Sequence, residues 1–338
     1  MRILVIGAGA IGGSLAAYLT KTSANVTLLE LNPDTCNYIS VNGITVVDGE
    51  NTITADVKIV NSTSELEERS FDCCFTATRA YNMSAAVTSI LPYLTPDALV
   101  IAMNNGVCID TLAGIVGKDH AVGGMINYGV GISHVGSYYI KIRGGLVLGM
   151  LLESGSGIPK NLVRLSELLN QVIPTTVTDN IVGSLYSKML INACITSSAL
   201  ISGLLLGDIL RSKSGRALFT AIAAEGVAVA NAANIEIPKY NGKLNYYSLI
   251  KNDILHRIMR RITYLVMANR YSKRTSASLE ALRNGVKTET DYFNGYISRL
   301  GRKLNVPTPA NDKMCSMIKR IEKDVSFISP NNLNLLGF

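Results

Sequence analysis

The first 31 residues, MRILVIGAGAIGGSLAAYLTKTSANVTLLEL, constrain the fold more than any other stretch of the chain. Arg2 to Ile6 is a short apolar, β-branched run and reads as a buried strand. Gly7-Ala8-Gly9-Ala10-Ile11-Gly12 follows at once, Ile11 to Lys21 reads as a helix, and Val26 to Glu30 reads as a second buried strand. In this order each glycine has a task. Gly7 permits the tight turn, Gly9 lets backbone approach a pyrophosphate, and Gly12 lets helix and strand pack closely. The start of the helix offers unpaired N–H groups and the positive end of its dipole to the phosphates. A secretory signal peptide does not fit, because glycine interrupts the apolar run and a second strand follows it.

At 338 residues the chain has room for two domains. Charged residues make up 17%, below the usual share of about 25%. That composition supplies a large core, or a core plus a subunit interface, and is compatible with a homodimer. The net charge of +7 favours anionic ligands. The six cysteines (Cys36, Cys73, Cys74, Cys108, Cys194, Cys315) lack metal-type spacing and read as reduced, buried thiols of a cytoplasmic protein. The three histidines, His120, His134 and His256, also lack ligand spacing, so no metal site is expected. The longest uncharged run, Met189 to Gly207, contains Asn192, Thr196, Ser197, Ser198 and Ser202. A membrane span needs roughly 20 predominantly apolar residues, so this run reads as a buried helix and no membrane partner is expected.

Further along, Asn32-Pro33-Asp34 stops the second strand. Residues 39–60 alternate apolar and polar around Asn42-Gly43 and Asp48-Gly49, both hairpin-type turn signals. Asp72 to Thr78 reads as a strand, Ala80 to Leu91 as a helix, Ala98 to Met103 as a strand and His120 to Ile126 as another. Residues 130–149 read as antiparallel strands closing the same sheet, Pro159 to Asn170 as a helix and Val172 to Val177 as a last strand. From Asn180 onward the pattern is helical over 180–204, 208–233, 243–270, 276–283, 290–304 and 310–323. The expected fold is therefore α/β. A Rossmann-type doubly wound sheet over residues 1–178 binds a dinucleotide, and an all-α domain over 179–338 serves substrate binding or dimerisation.

Two later stretches carry candidate chemistry. Lys188, Asn192 and Thr196 are four apart and line one helix face, in a segment that is otherwise apolar. Desolvation there would lower the lysine pKa and make it a usable proton donor. The plainer reading is a lysine that snorkels to solvent. In Lys287-Thr288-Glu289-Thr290-Asp291-Tyr292-Phe293-Asn294-Gly295, Glu289 is either a site acid or an acid stabilising a helix start. The basic run Lys251 to Arg274 reads as a solvated helix face. Without aromatic interleaving it does not point to nucleic acid.

Taken in order, these stretches resemble the ketopantoate reductases (2-dehydropantoate 2-reductases). The resemblance rests on GAGAIG, Asn105-Gly106 after a strand, Lys188 with Asn192, and the Thr-Glu-x-Asp-Tyr-x-Asn-Gly run at 288–295. Glu225 with the following AVANAANIEIP run, and Val306-Pro307-Thr308-Pro309-Ala310-Asn311, also match family positions. The resemblance implies reduction of a small anionic 2-oxo acid by a nicotinamide cofactor. It implies that Lys188 donates the proton, that Glu289 binds the substrate's hydroxyl end, and that Asn105 and Asn192 contact substrate, Asn105 also lying near the nicotinamide. Some positions depart from the family pattern. Thr196 replaces a second asparagine, and Ala277 stands where the family has a substrate-binding serine, with Ser276 and Ser278 beside it. Arg274 is a lesser candidate for the substrate carboxylate. The cofactor reading is divided. Glu30 favours NAD, because an acid there binds ribose hydroxyls and repels a 2′-phosphate. The family and Arg79 favour NADP. The alternatives are a same-fold reductase or dehydrogenase of another 2-oxo or hydroxy acid, and a dinucleotide sensor without turnover.

Overall fold

The computed structural model describes residues 1–152 and 157–334. The chain divides into two compact units, Met1–Val182 and Gly183–Phe338.

The first unit contains twelve strands among its described residues. They are β1 (Arg2–Ile6), β2 (Asn25–Leu29), β3 (Ile44–Asp48), β4 (Asn51–Ala55), β5 (Lys58–Val60), β6 (Phe71–Thr76), β7 (Leu94–Ala102), β8 (Ala121–Ile126), β9 (Gly129–His134), β10 (Ser137–Ile142), β11 (Leu146–Met150) and β12 (Thr175–Val177). Its helices are α1 (Ala10–Leu19), α2 (Pro33–Asn42), α3 (Met83–Ile90), α4 (Ile109–Val116) and α5 (Lys160–Asn170). Eight strands form one sheet in the order β12-β11-β8-β7-β6-β1-β2-β5. It is parallel except where β11 runs antiparallel to β8. In the centre, Val5 pairs with Leu28 on one side and Phe75 on the other. These strands are apolar along their whole length because both faces of a parallel sheet are covered. Cys73 and Cys74 lie in β6, fully enclosed, and burial pushes both thiols far up.

The other four strands form a separate sheet, β4-β3-β10-β9. This corrects the expectation that residues 130–149 all close the main sheet, since only β11 does so. The physical reason is α1. Gly12, Gly13, Ser14, Leu15, Ala16, Ala17 and Leu19 are all buried, so this helix needs cover on more than one side. The second sheet supplies it, with Ile44, Val46 and Tyr138 in the same core as Leu15 and Val5. A second correction concerns Asn42-Gly43, which ends a helix and does not turn a hairpin. Asn32 caps α2 by accepting from Thr35 N–H at 3.0 Å, Pro33 takes the first helical position, and Gly43 closes the helix at φ +68°. Asp48-Gly49 does turn a hairpin, between β3 and β4. Only Thr175–Val177 of the expected last strand is paired.

The second unit is helical. Helix α6 (Ile181–Ile191) runs into a π-helical turn, Asn192–Thr196, and then α7 (Ser197–Ser202). The rest are α8 (Leu206–Arg211), α9 (Lys213–Ala232), α10 (Tyr246–Leu249), α11 (Ile254–Arg270), α12 (Ala277–Arg283), α13 (Asn294–Lys303) and α14 (Pro309–Lys323). The expected helix over 180–204 is thus interrupted, and 243–270 is two helices. Helix α11 exposes Arg257, Arg261 and Arg270, as its charge run implies, and also a set of large apolar side chains. No helix among the described residues is long and apolar enough to cross a membrane.

Candidate active site

In the first unit β1 leads directly into Gly7, which sits at φ +95° and donates its N–H to the Leu29 carbonyl at 2.8 Å. A Cβ on Gly12 would lie 1.9 Å from the Gly7 carbonyl oxygen and 2.9 Å from Ala77 Cβ. A Cβ on Gly9 would meet no protein atom within 4 Å. The fold itself therefore requires glycine at positions 7 and 12 but not at 9. Close approach by a ligand is the remaining reason for glycine there. Helix α1 begins at Gly9 with Ala10, Ile11 and Gly12 in its first turn, no acidic side chain and no side-chain cap. The N–H groups and dipole at that end suit a pyrophosphate. The residues present thus fit a dinucleotide.

Two side chains hold this loop. Glu30, half-buried at the carboxyl end of β2, accepts from Ala8 N–H at 2.7 Å and from Asn32 N–H at 2.9 Å. Tyr138, on β10, donates its hydroxyl to the Ala8 carbonyl at 2.5 Å. Its ring lies over Gly13, where a Cβ would come within 2.2 Å of it. Burial raises the Tyr138 pKa and keeps the hydroxyl a donor. Tyr138 and Gly13 are functional-loop residues that the sequence reading missed, because their contact depends on the second sheet.

At the end of β7 the two asparagines divide. Asn104 is buried, accepts from Thr76 Oγ1 at 2.9 Å and donates to the Thr78 carbonyl at 2.6 Å, tying two strand ends together. Asn105 is half-buried and precedes Gly106, which sits at φ +96°. Arg79 is exposed just beyond β6.

In the second unit every residue from 183 to 202 is buried except Lys188, Asn192 and Thr196, which are half-buried. Four-residue spacing runs ahead of an α-helix of 3.6 residues per turn. The wider π turn at Asn192–Thr196 absorbs that drift and keeps Thr196 in line with the other two. Desolvation lowers the Lys188 pKa from 10.5 to about 8, and the nearby Glu289 carboxylate opposes that fall. Glu289 is 5% exposed and its side chain makes no helix-capping hydrogen bond, so it is not a capping acid. Its loop is pinned by Glu322 of α14, which accepts from Thr288 N–H at 2.9 Å and Thr288 Oγ1 at 2.7 Å.

A buried polar network supports the π turn. Asn294 Nδ2 donates to the Ala193 carbonyl at 3.2 Å and to Asn311 Oδ1 at 2.9 Å, while Asn294 Oδ1 accepts from Ser197. Asn311 Nδ2 donates to Glu225 Oε2 at 2.7 Å. Glu225 also accepts from the N–H groups of Ala310 and Asn311 at 2.7 and 3.0 Å and so caps α14. Desolvation still raises the Glu225 pKa against these bonds. Ser197 and Glu225 are visible in the sequence as polar residues in apolar helical runs, but nothing in the spacing links the four separate helices that carry Ser197, Glu225, Asn294 and Asn311. Near α12 the serines also divide. Ser276 is buried with no hydrogen-bond partner for its Oγ, Ser278 is half-buried, and Ala277 is exposed and offers no hydroxyl. The Arg274 guanidinium lies 5.5 Å from the Tyr271 ring centre, on its own loop.

Comparison with known proteins covers both units. The family described as Ketopantoate reductase PanE/ApbA matches residues 3–153, and its C-terminal counterpart matches residues 180–322. A protein of Lactococcus lactis named 2-dehydropantoate 2-reductase is 23% identical over 325 residues, covering 96% of this chain and 98% of its own. One of the same name from Pyrococcus abyssi is 23% identical over 321 residues, covering 94% and 97%. Among solved structures, a PanE/ApbA family ketopantoate reductase from Ralstonia eutropha superposes with a TM-score of 0.80 at 22% identity, over 96% of this chain and all of that one. D-mandelate dehydrogenase with NADH and anilino(oxo)acetate superposes with a TM-score of 0.79 at 21% identity, with the same coverage.

Proposed function

The chain belongs to the ketopantoate reductase family, and on that premise we propose that it reduces ketopantoate to pantoate with Lys188 as proton donor. The family makes it an NAD(P)-dependent oxidoreductase of pantothenate biosynthesis. One observation carries the assignment of roles. Lys188, Asn192 and Thr196 are the half-buried positions within the otherwise buried residues 183–202, and the lysine has a lowered pKa beside Glu289. When bound, the reduced nicotinamide supplies the hydride to the substrate's C2 carbonyl carbon. Lys188 Nζ then gives its proton to the carbonyl oxygen as negative charge develops there. A lysine of pKa about 8 is still mostly charged at neutral pH, and gives up its proton more readily than one at 10.5. Glu289 holds the ammonium in its charged form and accepts from the substrate's hydroxyl. Asn105, Asn192, Thr196 and the hydroxyls of Ser276 and Ser278 orient the substrate. Gly7 to Gly12 hold the pyrophosphate, and Glu30 selects NADH by binding ribose hydroxyls.

Purified protein incubated with ketopantoate, with NADH and NADPH in separate assays, tests this reading. Dinucleotide oxidation that Lys188→Ala abolishes, with cofactor-induced melting shifts intact, is the expected result. Protein that binds a dinucleotide yet oxidises neither with ketopantoate refutes the substrate, and a Lys188→Ala variant that turns over normally refutes the proton donor. A second reading, reduction of another 2-oxo acid on the same machinery, rests on Ala277, which offers no hydroxyl where the resemblance implies a substrate-binding serine. Relative kcat/KM over a panel of branched and aromatic 2-oxo acids decides between them.

A further inference from the structure

Strand β8 ends at Ile126, and the residue after it holds a buried oxygen with nothing to bond. Asn127 Oδ1 is enclosed, yet no group among the described residues donates to it. A buried acceptor left unpaired is costly, and native folds keep few of them. The backbone at this point is held on both sides. Asn127 N–H donates to the Gly145 carbonyl at 2.8 Å, and a Cβ on Gly144 would lie 2.1 Å from the Asn127 carbonyl oxygen. Glycine at 144 thus lets the segment before β11 close against Asn127. Its neighbours Ile126 and Tyr128 both belong to the core that contains Leu15 of α1. Side chains alternate along an extended chain, so the Asn127 amide is directed away from that core.

Its place in the sheet identifies the missing donor. Strand β8 lies beside β7 and runs parallel to it, with Gly123 opposite Ala102. Asn127 is therefore at the carboxyl ends of the parallel strands, the edge at which open α/β sheets take their ligands. The glycine loop and Glu30 follow β1 and β2 on the same edge. A doubly wound sheet binds one mononucleotide in each half, which leaves the ends of β6, β7 and β8 to the nicotinamide half. The pyridine ring of that half has a single donor group, its carboxamide nitrogen. We propose that Asn127 Oδ1 accepts a hydrogen bond from the nicotinamide carboxamide, which makes Asn127 a cofactor-positioning residue at the β8 end of the crevice. This inference rests on the dinucleotide-binding reading above. The fixed backbone means that the acceptor is in place before the cofactor arrives, so little ordering is lost on binding.

Titration calorimetry with NADH, NADPH and their acetylpyridine and thionicotinamide analogues tests the contact without turnover. The acetylpyridine ring keeps the carbonyl and carries a methyl group in place of the amide nitrogen, whereas the thionicotinamide ring keeps the nitrogen. The protein should bind the acetylpyridine form at least about ten-fold more weakly than the parent dinucleotide, and the thionicotinamide form about as tightly as the parent. Asn127→Leu, similar in size and without the acceptor, should bind the parent and acetylpyridine forms alike. Its melting temperature without dinucleotide should not fall, because an unpaired buried acceptor has been removed. Asn127→Asp keeps an acceptor oxygen and should keep the discrimination. Binding of neither NADH nor NADPH refutes the dinucleotide reading and this contact with it. Equal affinity of the wild type for the parent and acetylpyridine forms, or a discrimination that persists in Asn127→Leu, overturns the contact and leaves dinucleotide binding standing.

Discussion

Replacing Glu289 by glutamine should move the pH at which the enzyme loses activity. Two effects set the Lys188 pKa of about 8. Desolvation pulls it down from 10.5, and the Glu289 carboxylate holds it up. The net fall corresponds to about 3 kcal/mol against charging the amine. A neighbouring opposite charge is worth about 1–3 in pKa, so removing it leaves desolvation unopposed and lowers the lysine to about 7 or below. The proposed donor must be protonated for reduction. The kcat/KM profile, which reports the free enzyme, should therefore fall on the alkaline side near pH 8 in the wild type and at least about one unit lower in Glu289→Gln. With a one-unit displacement the protonated fraction drops about two-fold at pH 7 and about ten-fold at pH 9. Initial rates of ketopantoate reduction from pH 6 upward measure this. The position of the limb is the readout, because loss of a substrate contact changes its height without moving it. A limb near 10.5 in the wild type, or one that stays at the same pH in Glu289→Gln, would refute the coupling.

Other perturbations read the remaining parts of the site. The lowered Lys188 pKa has a stability consequence, since the unfolded chain binds more protons than the folded one between about 8 and 10.5. Stability from this group should rise with pH across that window, and Lys188→Met should flatten the slope in urea titrations. Gly12→Ala should destabilise the protein by about 2 kcal/mol or more, because its methyl group would overlap the Gly7 carbonyl. Gly9→Ala should leave the melting temperature unchanged and weaken dinucleotide binding at least ten-fold (about 1.4 kcal/mol). Calorimetry of both variants checks the contrast. Tyr138→Phe leaves the Ala8 carbonyl without its donor, and denaturant titration should show a loss of about 1–3 kcal/mol. Glu30→Gln should reduce the ratio of kcat/KM for NADH over NADPH, and an unchanged ratio assigns cofactor choice elsewhere.

Local chemistry made part of this protein legible from residues alone. The glycine turn, the alternating strands and helices and the switch to helix near residue 180 depend on backbone preference and hydrophobic period, which act over a few residues. The same holds for Lys188 and Asn192, whose four-residue spacing puts them on one helix face, whereas Thr196 stays in line with them through the π turn. Asn42-Gly43 misled because the same dipeptide serves a hairpin turn and a helix end, and only the preceding residues 33–42 decide which. Tertiary structure decided what depends on residues distant in sequence. It placed β9 and β10 in a second sheet over α1, so that Tyr138 reaches Ala8 from 130 positions away. It drew Ser197, Asn294, Asn311 and Glu225 into one network around the π turn. It also set Glu289 beside Lys188 and turned the apolar side of α11 outward. A desolvated pKa, a carbonyl in need of a donor and an uncovered helix face depend on what surrounds a residue, and those surroundings form only when the chain packs.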